Sequence, residues 1–287
     1  MQKRKWGQSP NPIYLAFRLM RRWVPVEWTY RLASKDQWAP LALLKESRLY
    51  SDLLSQLQIS PLGTTVLEIG PGTWNPLSLL LLKKGAQKVV LCEPFPRDFS
   101  PSKLRERLAP LWESMEPMNG PSLDHAFCGE DLNPDTVSWI PSFAESLPVE
   151  NDSVDLIVSN CVLQFIPNMQ RAFEEMHRVL RPGGSIMHIV DLRDHFFRYP
   201  FEMLTFSESF WNWLCPLRQG RGWHNRLRVS EYLQELKATQ FANFAYIALQ
   251  RDPMGYKKVE PYLNQRFTSM SRDELDITMA VIHARKP

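Results

Sequence analysis

The sequence predicts an α/β fold, a mostly parallel twisted sheet with helices on both faces, and three observations lead there. From residue 64 onward, short β-rich apolar runs alternate with helical patterns, the order that buries a parallel sheet between helices. The first of these runs opens into a glycine turn, Gly70-Pro71-Gly72, where a helix should begin. The second ends in an acid, Glu93, about twenty residues beyond the turn.

Taken in order, residues 1–60 contain no strand-like run. Proline-punctuated aromatic segments there give way to a helical pattern at Leu41, Leu44, Leu49, Leu53, Leu54 and Leu57, so a helical N-terminal extension is expected ahead of a domain over 61–287. Thr65–Ile69 is a strand, residues 76–84 a helix, and Lys88–Cys92 the next strand. After an irregular, proline-rich stretch, residues 155–159 (DLIVS) form a central strand, 169–180 a helix and 185–190 another strand, with Pro182, Gly183 and Gly184 at the turn between the last two. Residues 191–235 form a long connection rich in aromatics and charges, expected to be an acceptor-side insertion or lid, because long connections in compact domains are usually functional. Residues 242–249 and 276–284 then close the sheet.

Composition narrows the class. Hydrophobic residues at 44% and charged residues at 23% match soluble globular usage, and the longest apolar stretch, from Leu77 to Leu82, is too short to cross a bilayer. Lys3, Arg4 and Lys5 are not followed by an apolar signal region, so a cytoplasmic protein is expected. Cys92, Cys128, Cys161 and Cys215 are scattered, without the paired spacing of a zinc or redox site, and no metal is expected. A net charge of +3 does not point to nucleic acid. It is unevenly placed, however: Lys3, Arg4, Lys5, Arg18, Arg21, Arg22 and Arg31 face a single acid, Glu27, in the first 31 residues. Interleaved Trp6, Trp23 and Trp28 make this segment either a peripheral contact for anionic lipid or an acidic substrate, or the solvated face of a docked helix.

The string from Val66 to Thr73 carries the most chemistry. Gly70 and Gly72 lack a Cβ, so the chain can turn tightly and let a ligand approach the backbone. Glu68 at the strand end can accept from an ammonium group, and Glu93 offers two oxygens to a ribose diol. The third glycine of a dinucleotide turn is replaced by Asn75, followed by Pro76, so NAD is disfavoured.

The strings LEIGPG, Ala144-Glu145-Ser146-Leu147-Pro148, DSVDLIVSN and MHRVLRPGG, with Glu93, resemble the class I S-adenosylmethionine (SAM)-dependent methyltransferases of the type 11 subgroup over residues 64–190. The resemblance implies a Rossmann-like fold with an antiparallel C-terminal strand and SAM as cofactor. It also implies Glu68, Gly70, Pro71 and Gly72 beside the methionine moiety, Glu93 on the ribose, Phe143 and Ala144 on the adenine, and Asn160 where the methyl group meets its acceptor. Phe143 departs from the family, which usually has Asp there, so stacking or a backbone contact would replace a side-chain hydrogen bond. Beyond Val190, the segment from His188 to His195, LTFSESFW and the segment from Asn225 to Arg228 resemble a bacterial set associated with glycans or their lipid-linked precursors.

Methyl transfer to a hydroxyl needs alignment and a base. His188, Asp191 and His195 lie near the end of the strand after the PGG turn and are the catalytic candidates. The alternatives are a buried strand histidine for His188 and a loop-ordering pair for Asp191 and His195. The aromatics from Phe196 to Trp223, with Arg218, Arg221, Arg226 and Arg228, suit either a sugar bearing an anionic group or plain packing. The expected function is O-methylation of a glycan, glycolipid or other hydroxylated small molecule. Methylation of a quinone-like or aromatic metabolite, and SAM binding without catalysis, are the alternatives.

Overall fold

The computed structural model describes residues 40–72, 77–94, 100–115, 117, 120–195, 200–216 and 223–287. The basic segment 1–31, Asn75, Pro76, residues 196–199, Arg218 and Arg221 lie outside the described residues.

Seven strands form one sheet. In chain order, the nine described strands are β1 (Thr65–Ile69), β2 (Lys88–Cys92), β3 (Phe127–Cys128), β4 (Asp131–Leu132), β5 (Val137–Ile140), β6 (Val154–Asn160), β7 (Leu180–Asp191), β8 (Ala242–Arg251) and β9 (Ile277–Arg285). The sheet order is β5-β2-β1-β6-β7-β9-β8, and β3 with β4 makes a separate small hairpin. All pairings from β5 to β7 are parallel, whereas β9 runs antiparallel to both β7 and β8. This is the mostly parallel sheet with an antiparallel C-terminal strand that was expected.

The central strands read as continuous apolar runs because helices cover both faces. Val66 and Leu67, adjacent in β1 and pointing oppositely, are both fully buried. On one face lie α1 (Pro40–Gln56), α2 (Leu77–Lys83) and α3 (Pro101–Trp112), which contribute Leu53, Leu80 and Leu108 to one core. On the other lie α4 (Met169–Val179) and α6 (Val229–Ala238), which contribute Phe173, Met176 and Leu236. Helix α4 shows the local logic. Met169, Ala172, Phe173, Met176 and Val179 recur at helical spacing and are buried, and the Asn168 side chain caps the first turn by accepting from Arg171 N at 3.0 Å.

Two expectations change. Among the described residues, the proline-rich stretch before residue 154 holds regular elements. Pro101 occupies the first turn of α3, where a missing N–H costs nothing, and β5 pairs with β2 as an edge strand of only four residues. The span 191–235, expected to be an acceptor-side insertion or lid, also contributes to the main fold. Its last part is α6, a helix of the main fold, and its middle, with α5 (Glu208–Leu214), builds a third core with a second excursion between β8 and β9. Phe201, Leu204 and Trp211 pack there with Tyr256, Val259 and Phe267, on a layer that includes α7 (Pro253–Val259) and α8 (Arg272–Leu275). Among the described residues, no helix is long and apolar enough to cross a membrane.

Candidate functional site

Open α/β sheets bind ligands at the carboxyl ends of their strands, and the predicted residues gather at that edge. After β1 the chain turns at Gly70 (φ +66°), whose amide donates to the Cys92 carbonyl at 2.8 Å. A Cβ at Gly70 would lie 2.6 Å from a Val162 methyl, so only glycine fits. Gly72 also has positive φ, but among the described residues a Cβ there would meet nothing within 4 Å. Its amide donates to Glu93 Oε2 at 3.3 Å. The two halves of the motif, 21 residues apart, thus touch. Glu93 stands half-buried just past β2, and its own amide donates to the Ile140 carbonyl at 3.1 Å. On β5's side of this edge, Ala144 is buried while the neighbouring Phe143 ring is 54% exposed. Asn160 ends β6, and Cys161 follows in the left-handed region (φ +57°), its amide donating to the Ile189 carbonyl at 2.8 Å.

Glu68 differs from expectation. It is buried, and its carboxylate accepts from the amides of Leu77 (3.0 Å) and Ser78 (2.8 Å) and from the Ser78 hydroxyl. It therefore ties the end of β1 to the start of α2, where free helix amides need acceptors. Burial pushes its pKa up to about 7, against the lowering effect of these hydrogen bonds.

His188 is withdrawn as a catalytic candidate by its position. It is fully buried within the sheet, with Nδ1 2.8 Å from the Ser159 hydroxyl, and burial pushes its pKa down to about 3. A neutral ring sealed in the core cannot reach an acceptor.

Asp191 and His195 are brought together at the end of β7. Asp191 Oδ2 lies 3.5 Å from His195 Nε2. The carboxylate also accepts from the Arg193 guanidinium at 2.9 and 2.6 Å and from the Arg193 amide at 3.0 Å. Burial opposes its charge, but the Arg193 hydrogen bonds prevail and hold its pKa below the usual carboxylate value. The His195 ring meets Phe165 edge-to-face at 5.2 Å and lies 5.8 Å from the His224 ring. His224, buried, accepts from the Arg226 amide at Nδ1 (2.8 Å), so its Nε2 carries the proton and donates to the Asp191 carbonyl at 3.1 Å.

Beside this cluster opens a cavity of about 510 Å³ at the ends of β7, β8 and β9, lined by Asp191, Arg193, His195, Arg251, Asp252 and Thr278 among others. Among its described lining residues only Pro200 has an apolar side chain. Sequence reasoning missed Arg193, Arg251 and Thr278. Arg193 was within sight, two residues from Asp191, but nothing local marks the other two as neighbours of β7.

Arg226 and Arg228 do not face a ligand. Both are buried: Arg226 donates to the carbonyls of Met203 (3.0 Å) and Phe206 (2.8 Å) and pairs with Glu208, and Arg228 donates to those of Leu192 (2.9 Å) and Leu275 (3.2 Å). They stitch the accessory layer to the sheet. Trp211 is buried in that layer, donating through its indole N–H to the His224 carbonyl at 2.9 Å, which favours packing for this part of the aromatic stretch.

The fold is similar to that of a solved structure, the geranyl diphosphate C-methyltransferase of Streptomyces coelicolor, with a TM-score of 0.50 at 13% identity, covering 88% of this chain and 86% of that one. Residues 67–188 match the family described as a methyltransferase domain, and residues 128–257 match the ubiE/COQ5 methyltransferase family. Residues 67–257 thus resemble SAM-dependent methyltransferase domains, and the sheet that carries them is Rossmann-like. Among curated relatives, the human thiol S-methyltransferase TMT1A is 29% identical over 118 residues, 40% of this chain and 43% of that protein. The malonyl-[acyl-carrier protein] O-methyltransferase of Hahella chejuensis is 36% identical over 72 residues, 21% of this chain and 26% of that protein. The chain thus spans less than half the length of these relatives, and the two differ in acceptor.

The residues present fit SAM. The turn leaves the Gly72 backbone open among the described residues, Glu93 offers two acceptor oxygens to a diol, and the exposed Phe143 ring offers a stacking face on the same edge of the sheet.

Proposed function

We propose that this protein methylates a hydroxyl of a polar small molecule, a glycan, glycolipid or similar polyhydroxylated acceptor. The observation behind this reading is the cavity next to His195, whose lining of carboxylates, arginines, an amide and a hydroxyl matches many hydrogen-bonding groups rather than a flat apolar ring. SAM, when bound, supplies an electrophilic methyl group on a sulfonium.

The chain's own residues do the rest. Glu93 accepts from the ribose hydroxyls, the backbone of Gly70 and Gly72 lies under the methionine moiety, and Phe143 with Ala144 borders the adenine. Asn160 stands between cofactor and acceptor. His195 takes the acceptor's proton at Nδ1, since its Nε2 is the nitrogen 3.5 Å from Asp191, and the Asp191 carboxylate stabilises the imidazolium that results. Arg193 holds that carboxylate ionised and oriented.

A second reading, methylation of a quinone-like or aromatic metabolite, is favoured by one observation: the Phe165 ring, 42% exposed, stands against His195 and offers a π-face to an acceptor. If the acceptor is lipid-linked, the basic residues of segment 1–31 are suited to an anionic membrane surface. Release of S-adenosylhomocysteine by the purified protein across two acceptor panels, sugars and sugar phosphates against phenols and quinols, tests the first reading. Turnover confined to phenols replaces it with the second, and no turnover in either panel removes both.

A further inference from the structure

The site as described leaves one charge without a protein counterpart. The amino-acid end of SAM carries an ammonium group, and Glu68, the acid expected to meet it, is spent on the first amides of α2. Another carboxylate is brought toward the same edge by the N-terminal helix.

Helix α1 runs opposite to β1. Its last residue, Gln56, is followed by a short link whose Gly63 amide donates to the Gly85 carbonyl, just before β1 begins at its amino end. Ser51 on α1 meets Lys84, at the bottom of α2, at 2.7 Å. The preceding turns of α1 therefore climb toward the carboxyl ends of the strands. Tyr50 fixes which face points inward: it is buried, and its hydroxyl donates to the Ser159 carbonyl, one residue before the end of β6, at 3.3 Å.

Glu46 lies four residues earlier, on the same stripe of the helix and about 6 Å higher along its axis. That rise carries it past the level of Ser159, toward Asn160 and Cys161. Burial is the main cause that raises the pKa of both the Tyr50 hydroxyl and the Cys161 thiol, and the charge of Glu46 adds to it in each case. A Cβ at Gly70 would meet Val162, so the glycine turn and the chain just past Cys161 are neighbours.

We propose that Glu46 is the carboxylate that receives the ammonium group of the cofactor's amino-acid end. This assignment rests on the SAM site described above. It gives the N-terminal helix a direct part in cofactor recognition, and it explains how Glu68 can be committed to structure without leaving the ammonium unmatched.

Calorimetric titration of wild type, Glu46→Gln and Glu46→Asp with two ligands tests it. S-adenosylhomocysteine keeps the ammonium; 5′-methylthioadenosine keeps the nucleoside and lacks the amino-acid end. Glu46→Gln should bind the first about tenfold or more weakly, the scale for losing a hydrogen bond between charged groups, and the second as wild type does. Glu46→Asp should fall between. Wild-type affinity of Glu46→Gln for S-adenosylhomocysteine, or equal losses for both ligands, overturns the assignment. Wild type that binds neither ligand overturns the cofactor site itself, and the assignment with it.

Discussion

His195 Nε2 lies 3.5 Å from Asp191 Oδ2, and the same carboxylate takes hydrogen bonds from the Arg193 guanidinium at 2.9 and 2.6 Å. Removing His195 as a general base should slow turnover on a true acceptor by roughly 10²–10⁴-fold while leaving S-adenosylhomocysteine affinity unchanged. Asp191→Asn should act through the same step, so the double variant should lose far less than the product of the single losses. Single-turnover rates for His195→Gln, Asp191→Asn and the pair decide it. Additive losses would indicate independent contacts, and wild-type rates in both single variants would reduce the pair to a loop anchor.

Glu93 links the second strand to the glycine turn through the Gly72 amide. Glu93→Ala should weaken binding of S-adenosylhomocysteine by about 1–3 kcal/mol, because hydrogen bonds to a charged acceptor are lost. Titration calorimetry measures this directly. Undiminished affinity would place the ribose elsewhere.

Glu68 has a folded-state pKa raised from 4.5 to about 7 by burial. An acid with a raised pKa binds its proton more tightly in the folded state, so its contribution to stability is fully present below pH 4.5 and is lost as pH rises toward 7. Glu68→Gln removes that dependence. The melting temperature of wild type minus that of Glu68→Gln should therefore be larger at pH 5.5 than at pH 8. A difference independent of pH would mean that Glu68 is ionised throughout.

Gly70→Ala places a methyl 2.6 Å from Val162 Cγ2 in a residue at φ +66°. Strain in the left-handed region and the clash should together lower stability by about 1–3 kcal/mol. Val162→Ala in the same chain should return part of that loss by removing the clash but not the backbone strain. Denaturant unfolding of the two variants checks it, and full recovery would show that the backbone there is not strained.

The elements that were legible share one property: their signal is local. β1 and β2 begin and end where apolar runs bounded by polar residues place them, and α4 follows its helical spacing within a residue. Where the local signal is weak, the reading failed. The four-residue edge strand β5 sits between prolines, and α3 carries Pro101, which looks like a breaker until the cap and first turn are seen, and Pro110 near its end.

By itself the sequence determined the alternation of strand and helix, the glycine turn with an acid on each side of it, and the placing of Asp191 and His195 at one strand end. Those features depend on residues within a few positions of one another. Only the tertiary structure decided what each charge meets: Glu68 the amides of α2, Asp191 the guanidinium of Arg193, and Arg226 and Arg228 the carbonyls of the accessory layer and sheet. It also joined residues 201–215 and 256–275 into one core and set Arg251 and Thr278 beside Asp191. The physical reason is that burial forces each polar group to find a partner wherever the packed chain supplies one, and that partner's position along the sequence leaves no local trace.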